Sequence, residues 1–486
     1  MNFKELTKLI SYLEENTRAD KVSGIEFIDP RSFKEKIRGK QNYVVFGRRG
    51  AGKSTLLKTL NKYDKSLTVY VNLEDYKDIT FPNIIIKVLV SFYEEVAIKL
   101  NKNKKIFDNY LSTRKIVGEI NKLIEELDSK IIEPDSYSER KKQKDNSSRD
   151  YSISIQQLKT LVSRKSSSES ENEYSWEIDK LNELKASIDV NKKLINRIVE
   201  FSGIQLILIL DDFYFIPKKI QPFLLDYFHR LSKSNDFYLK IGTVKHRSHL
   251  YFQSDSSYIG MELNADIYDI DLDYTLDKWN ELKKFKRDLL ESAINSSGAY
   301  FDIDSVFNEQ SFSQLCIASG GVPRDFLVLF IKCCQLISEE RPKITVPDVR
   351  EIAIQNFVNK KSSLVKDSED DSNTLESYIN YLRDFVFKQK RTNVFLIEND
   401  SLNKNEKINK IVRELVDLRF LHIIDSNTSA APSDGKRYSA YLLDVSLYDN
   451  GRPRSFKEVE PDIQTNRQGV RGAPRITTIK LSELHK

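Results

Sequence analysis

The sequence predicts an α/β fold built on a parallel β-sheet, and three observations along the 486-residue chain support that prediction. A β-branched and aromatic run at 43–46, Tyr-Val-Val-Phe, is followed at once by a glycine-rich loop and a helical stretch. The run at 204–210, Ile-Gln-Leu-Ile-Leu-Ile-Leu, is typical of a strand buried on both faces of a parallel sheet. Further strands are predicted at 67–73, 237–244 and 266–272.

The loop at 47–55 reads Gly-Arg-Arg-Gly-Ala-Gly-Lys-Ser-Thr and fits the phosphate-binding pattern G-x-x-x-x-G-K-[ST]. Glycines allow backbone N–H groups to curl around a phosphate, and the following helix presents its positive N-terminus to the anion. Lys53 is expected to reach the β- and γ-phosphates of ATP, and the Ser54 hydroxyl is expected to bind Mg²⁺. The residues assigned to nucleotide binding in this loop are Gly47, Gly50, Gly52, Lys53, Ser54 and Thr55.

Two carboxylates follow the buried run directly, at a position where a phosphate-binding loop needs a metal-directed acid from a neighbouring strand. Asp211 is predicted to direct Mg²⁺, and Asp212 occupies the position of a catalytic base that polarises the attacking water. The side chain of Asp212 is shorter than the glutamate often found there, which predicts slow turnover. The alternative is that both residues only end a strand and cap a turn.

Polar side chains near other element ends are candidates for sensing the γ-phosphate. Thr243, Lys245 and Arg247 follow the strand at 237–244 and would face the phosphate at the carboxyl edge of the sheet. Arg324, in a Gly-Gly-Val-Pro-Arg turn that opens a helix, is placed to report the nucleotide state. Arg230 is a candidate arginine finger for a neighbouring subunit. Taken singly, each has the alternative of being a structural or solvated residue.

The chain is long enough for about two to four domains. Residues 76–200 are charged and helically spaced, which predicts a helical or coiled-coil insertion with a disordered linker as the alternative. Residues 361–373 have the composition of a polar linker. The predicted organisation is an N-terminal helix at 1–22, an ATPase core at 23–75 and 201–275, the insertion at 76–200, a helical lid at 276–360, a further domain at 361–450 and a basic tail at 451–486.

Composition narrows the class of protein. The 77 basic and 72 acidic side chains leave a net charge of +5, which by itself says nothing about nucleic acid. Cys316, Cys333 and Cys334 fit neither a metal-ligand spacing nor a disulfide framework, which predicts a cytoplasmic protein. The first residues lack the apolar core of a signal peptide, and the longest apolar run is too short to span a bilayer, so no membrane association is expected.

Together these motifs resemble those of the AAA+ ATPases, in particular the origin-recognition and replication-initiator type and the related STAND signalling ATPases. The resemblance covers roughly residues 25–75 and 200–450. It implies Walker A at 47–55, Walker B at 206–212, a first sensor in the region Thr243–Arg247, and a second sensor at Arg324. The long insertion departs from the minimal core of that family.

In initiator-type relatives a winged-helix domain follows the lid, and residues 374–448 fit one. Helices at 375–387 and 404–418 are followed by strands at 420–424 and 437–443, which form the wing. A basic recognition helix and a wing suit the major groove of DNA and its flanking phosphates, although protein docking is the alternative. For the arginines of the tail, DNA binding and protein docking are likewise both open. The residues predicted to contact double-stranded DNA are Lys404, Lys407, Lys410, Arg413 and Arg437.

Two interpretations of function follow. The first is a slowly hydrolysing, partner-stimulated ATPase switch that regulates a multi-protein system with a separate effector protein, for instance in bacterial antiviral defence. The second is a DNA-binding replication-initiator or mobile-element ATPase that loads partners on DNA. Both imply ATP and Mg²⁺ as cofactors and a homo-oligomer. The intact Lys53, Ser54 and Asp211 disfavour a third class, a binding protein with an inactive phosphate loop.

Overall fold

The computed structural model describes residues 3–17, 27–63, 65–102, 110–132, 180–254, 257–367, 372–448 and 452–484. The chain forms two compact units, and each contains its own apolar core. The sheet unit comprises Arg31–Phe46 and Leu56–Asp271. The lid unit comprises Met1–Pro30, Gly47–Thr55 and Leu272–Lys486.

The sheet unit is organised around five parallel strands and carries a small hairpin. Its strands are β1 Tyr43–Phe46, β2 Ser66–Asn72, β3 Gln205–Asp211, β4 Phe237–Thr243, the antiparallel hairpin β5 Tyr251–Ser254 and β6 Ser257–Gly260, and β7 Tyr268–Asp271. The order in the parallel sheet is β2-β3-β4-β1-β7. Every residue of β3 is buried, which is the burial expected of a strand covered on both faces. The predicted α/β fold with a parallel sheet is therefore confirmed.

The region expected to be an insertion contributes to the core of the sheet unit. Eleven residues of the 20-residue helix Asn83–Lys102 are buried, and they join the apolar cluster that includes β2 and β3. The buried hydroxyl of Tyr93 donates to Asn191 at 2.7 Å. The helix Asn83–Lys102 is therefore packed into the core of the sheet unit. The polar patches at 136–150 and 166–171 lie outside the described residues. The helices of this unit are Phe33–Arg38, Asn83–Lys102, Tyr110–Ile132, residues 180–186, Ile188–Ser202 and Gln221–Ser232.

The lid unit begins with the helix Phe3–Asn16, whose Leu6, Leu9 and Leu13 are buried in the core of the lid. Within the segment expected to be a polar linker at 361–373, the described residues 361–367 and 372–373 lie in helices, and Leu364 is buried. Among the described residues, no helix is long and apolar enough to cross a membrane. The helices of the lid are Trp279–Ser297, Ile303–Val306, Glu309–Ala318, Pro323–Gln335, Val346–Gln355 and Phe357–Asp367.

The winged-helix domain follows in the same unit. Its elements are helix Ser372–Leu382 with the π-helical continuation Arg383–Gln389, β8 Val394–Glu398, helices Asn399–Lys404 and Glu406–Asp417, β9 Leu421–Ser429, β10 Arg437–Leu443, helix Ile463–Arg471, β11 Arg475–Ile476 and helix Thr478–Glu483. The sheet has the order β11-β8-β10-β9, and β9 and β10 form the wing as an antiparallel pair. In the tail, β11 pairs in parallel with β8, and the helices Ile463–Arg471 and Thr478–Glu483 flank it.

Candidate functional site

The phosphate-binding loop, Gly47–Thr55, turns on two glycines with a left-handed backbone. Gly50 has a φ of 86° and Gly52 a φ of 100°, conformations that strain any residue with a Cβ. A Cβ at Gly50 would also lie 2.8 Å from the Cβ of Arg324. Glycine at position 50 is therefore required both by the backbone and by the close approach of a lid helix.

Lys53 begins the short helix Lys53–Lys58, and its side chain is buried. The Nζ atom donates to the carbonyl oxygens of Gly47 and Arg48, at 2.9 and 3.4 Å. The ammonium is thus held over the loop to which it belongs. This position suits a cation that meets an anion bound by the same loop.

Arg48 anchors the phosphate loop. The sequence did not indicate this role, because the motif allows any residue at this position. Its backbone N–H and its Nε donate to the carboxylate of Asp273, at 3.0 and 3.3 Å. The Nη2 atom donates to the carbonyl oxygen of Tyr274 at 3.2 Å. Because the guanidinium is buried, the ion pair holds the loop firmly on the segment that follows β7.

The lid helix Pro323–Gln335 starts directly at the phosphate loop. The backbone N–H of Arg324 donates to the carbonyl oxygen of Gly50 at 3.3 Å, and the Arg324 side chain is exposed. The buried Lys286 donates to the carbonyl oxygen of Gly321 at 3.0 Å and so supports the turn before this helix. Arg324 therefore lies beside the loop, and its role in reporting the nucleotide state stays a prediction.

Asp325, the residue after Arg324, connects the same helix to the winged-helix domain. Nη1 of Arg419 lies 2.6 and 2.7 Å from the two carboxylate oxygens of Asp325, and both side chains are largely buried. Arg419 has a φ of 67° and stands two positions after the recognition helix Glu406–Asp417, where the helix ends. No sequence pattern indicates this pair, because the two residues lie 94 positions apart.

A second buried cluster joins the lid to the winged-helix domain. Lys360 of the lid lies 2.6 Å from Oδ1 of Asp444, and Nε2 of His422 lies 2.8 Å from Oδ2. Burial alone would raise the pKa of Asp444, but Lys360 and His422 hold the pKa of that carboxyl well below its usual range. Burial lowers the pKa of His422, although Asp444 opposes the change. The carboxylate of Asp444 is therefore ionised and bound from both domains.

Asp211 is the last residue of β3 and is fully buried in the sheet unit. Its Oδ2 accepts a hydrogen bond from the hydroxyl of Tyr70 at 2.6 Å, and its Oδ1 accepts one from the backbone N–H of Asp212 at 2.9 Å. A Cβ at Gly242 would lie 2.2 Å from Oδ1, so only glycine fits at that position of β4. The carboxylate is thus fixed at the carboxyl end of its strand.

Asp212 and Thr243 lie at the same edge of the sheet. Asp212 has a φ of 53°, a left-handed conformation that is uncommon for residues other than glycine and that clusters at functional sites. Thr243 is buried at the end of β4 in register with Phe46, the last residue of β1 before the phosphate loop. The hydroxyl groups of Thr243 and Ser248 are hydrogen bonded to each other.

The remaining cations predicted for the site lie on the surface of the sheet unit. Lys245 contacts Asp271 at 3.4 Å, and the guanidinium of Arg247 lies 4.9 Å from the ring centroid of Tyr214. Arg230 donates to Asp226 at 2.9 Å, one helical turn away, and its side chain is half exposed. Its role as a finger for a neighbouring subunit stays a prediction.

The winged-helix domain presents a basic face. The exposed residues of the helix Glu406–Asp417 are three cations and one acid, while Ile408 and Leu415 pack inward. Lys404 and Arg437 are exposed as well, on the preceding helix and on the wing. Two other cations of the domain are engaged by acids, since Lys436 contacts Glu398 and Arg475 contacts Asp434. The exposed charged residues of the recognition helix are Glu406, Lys407, Lys410 and Arg413.

Comparison with solved structures shows similarity at low sequence identity. The Aeropyrum pernix ORC1 protein in complex with DNA is 12% identical, with 89% of this chain and 94% of that chain covered and a TM-score of 0.33. Drosophila ORC bound to DNA is 10% identical, with 91% and 90% covered and a TM-score of 0.34. A Walker-type ATPase of Pyrococcus abyssi is 13% identical, with 91% and 93% covered and a TM-score of 0.37.

Comparison with curated protein sequences gives no match. The sequence model of the ORC-CDC6-like family, by contrast, matches residues 15–314, which is more than half of the chain. The matched residues include the phosphate loop, the strand that ends in Asp211 and the first helices of the lid. The chain therefore belongs to the ORC-CDC6-like family of AAA+ ATPases.

Proposed function

We propose that this ATPase is a slow switch whose nucleotide state sets the position of a DNA-binding winged-helix domain. The observation that carries the proposal is a pair of bonds at the start of one lid helix. Arg324 bonds to Gly50 of the phosphate loop through its backbone, and Asp325 bonds to Arg419 through its carboxylate. A shift of Gly50 on phosphate binding would therefore act on the end of the recognition helix.

The loop residues fit the phosphates of ATP. The left-handed glycines let backbone N–H groups curl around a phosphate, and the buried ammonium of Lys53, held against a loop carbonyl, adds a full positive charge at the same loop. In this proposal Lys53 holds the β- and γ-phosphates, and Ser54 and Asp211 hold Mg²⁺. Bound Mg²⁺ supplies charge neutralisation for the γ-phosphate. Thr243, Arg247 and Arg324 are proposed to respond to that phosphate.

Slow hydrolysis is proposed from the identity and conformation of Asp212. The residue is half-buried and is held in a left-handed conformation at the end of β3. An aspartate is one methylene shorter than a glutamate, so it orients an attacking water less closely. In this account hydrolysis resets the switch, and a partner that completes the site accelerates it.

DNA is proposed as the ligand of the winged-helix domain because of its charge pattern. Three of the four exposed residues of the recognition helix are cations, and Arg437 adds a cation on the wing. Because the helix packs inward through Ile408 and Leu415, this basic face lies at the surface of the domain. Contacts with phosphates release counterions, so the affinity for duplex DNA should fall steeply with salt concentration.

The experiment is an anisotropy titration of the full-length chain with a labelled duplex at two salt concentrations. Each titration is carried out without nucleotide and with a non-hydrolysable ATP analogue plus Mg²⁺. Typical coupling between two sites on one protein changes affinity about 5- to 150-fold, and we expect a difference in that range. Lys53→Ala should bind the duplex with the same affinity in both conditions.

The matched control is Lys62→Ala, which removes an exposed lysine just beyond the loop and should leave the nucleotide effect intact. Equal affinity of the wild-type chain in both conditions would contradict the switch. Absence of duplex binding at the lower salt concentration would contradict the DNA assignment and would favour the protein-docking alternative.

A further inference from the structure

Tyr70 stands on β2, next to the strand that ends in Asp211. The two strands are parallel, with Tyr70 opposite Ile209 and Asn72 opposite Asp211. The phenol therefore reaches along the sheet, two residues towards its carboxyl edge, and its hydroxyl lies 2.6 Å from Oδ2 of Asp211. This distance is typical of a strong bond from a hydroxyl to a carboxylate.

Three neighbours constrain the Asp211 carboxylate, two by hydrogen bonds and one by the space it leaves. Tyr70 donates to one oxygen, the backbone of Asp212 donates to the other, and Gly242 leaves room for the second oxygen against β4. Of these three neighbours, Tyr70 is the one that uses a side chain. A carboxylate oxygen has two lone pairs, so Oδ2 can accept this bond and still face a cation.

We propose that Tyr70 is a positioning residue for Mg²⁺ in this ATPase: its hydroxyl sets the orientation of the Asp211 carboxylate. The proposal rests on the proposed function, in which Asp211 directs Mg²⁺. Partners that orient a metal ligand typically contribute 10- to 100-fold to metal affinity, and about that factor is expected here. The Nζ atom of Lys58 lies 5.3 Å from the centroid of the Tyr70 ring, and a phenylalanine at position 70 retains a ring for this contact.

The test compares Tyr70→Phe with the wild-type chain by two binding measurements that do not depend on turnover. The affinity for a fluorescent ATP analogue is measured in EDTA, and the affinity for Mn²⁺ in the presence of ATP is measured by electron paramagnetic resonance. We expect Tyr70→Phe to bind the analogue in EDTA as the wild type does and to bind Mn²⁺ about 10- to 100-fold more weakly.

Tyr76→Phe is the matched control, because it removes the hydroxyl of a half-buried tyrosine that bonds Ser91 at 2.6 Å, away from Asp211. It should leave both affinities unchanged. A general loss of packing would instead weaken the binding of the analogue in EDTA for Tyr70→Phe, and that result would overturn the positioning role.

Asp211→Asn separates failure of this inference from failure of the proposed function. If Asp211→Asn weakens Mn²⁺ binding and Tyr70→Phe does not, the positioning role of Tyr70 is wrong and the assignment of Asp211 stands. If Asp211→Asn binds Mn²⁺ as the wild type does, the assignment of Asp211 is wrong and the inference falls with it. In the Asp211→Asn background, Tyr70→Phe should have no further effect.

Discussion

The carboxylate of Asp325 and the guanidinium of Arg419 form an ion pair between the lid and the end of the recognition helix, at 2.6 and 2.7 Å. The residue before Asp325 bonds to Gly50 of the phosphate loop. The first turn of the lid helix Pro323–Gln335 therefore contacts both the phosphate loop and the domain proposed to bind DNA.

Arg419→Gln should weaken the dependence of DNA affinity on nucleotide. The substitution breaks a largely buried ion pair, so the start of the lid helix loses its direct link to the end of the recognition helix. We expect the ratio of duplex affinities with and without the ATP analogue to fall towards one, while ATP affinity itself changes little. Arg287→Gln, which breaks a more exposed lid pair with Asp304, is the control and should keep the wild-type ratio. An unaltered ratio in Arg419→Gln would remove the proposed link.

Gly50→Ala should weaken ATP binding. A Cβ at this position meets Arg324 at 2.8 Å, and a φ of 86° is strained for alanine. Such strain costs about 1–3 kcal/mol, which corresponds to roughly 5- to 150-fold in affinity measured by calorimetry. Gly118→Ala is the control, because nothing lies within 4 Å of a Cβ there and alanine favours the helix. Wild-type affinity in Gly50→Ala would show that the loop geometry is not required.

Lys407→Ala and Lys410→Ala should each lower the slope of log affinity against log salt by about one. Both lysines are exposed on the recognition helix, and a phosphate that no longer meets its lysine keeps its counterion when the protein binds. Lys388→Ala is the control, since Lys388 lies on another helix of the domain and contacts Asp384. If Lys407→Ala and Lys410→Ala both keep the wild-type slope, as the control does, the recognition helix does not contact phosphates.

Lys286 should make the stability of the lid depend on pH. Burial lowers its pKa to about 7, whereas an unfolded lysine has a pKa of about 10.4. Below pH 7 both states carry the proton. Between these two values the unfolded chain binds a proton that the folded chain lacks, so the free energy of unfolding rises with pH. Lys286→Met lacks this effect. The melting temperature of Lys286→Met minus that of the wild type should therefore be largest near pH 7 and decrease towards pH 9.

Lys284→Met, which replaces an exposed lysine of the same helix, provides the comparison. Its difference in melting temperature from the wild type should stay constant over the same range of pH. A constant difference for Lys286→Met would mean that the buried amine keeps its proton in the folded chain.

The parallel sheet and the phosphate loop could be predicted because their signals are local. Continuous apolar runs reveal strands buried on both faces, and the glycine spacing reveals the loop. The recognition helix could be predicted for the same reason, since Ile408 and Leu415 face inward and the cations face outward. For site residues beyond the loop, the sequence predicts roles only from their positions along strands and helices.

The contacts that connect these parts could not be predicted because they join distant residues. Tyr70 meets Asp211 across 141 positions, and Asp325 meets Arg419 across 94. Each depends on strand register or helix packing that no local pattern specifies. The polar composition of 361–373 predicted a linker, whereas its described residues 361–367 and 372–373 lie in helices.

Calorimetry of the full-length chain with ATP and Mg²⁺ tests most directly whether Gly47–Thr55 binds ATP, on which the proposed switch depends. The wild-type chain and Lys62→Ala should give a saturable isotherm. Lys53→Ala should give no binding heat at the same concentrations, because the loop loses its buried ammonium. Equal isotherms for the wild-type chain and Lys53→Ala would contradict the assignment of the loop as the ATP site.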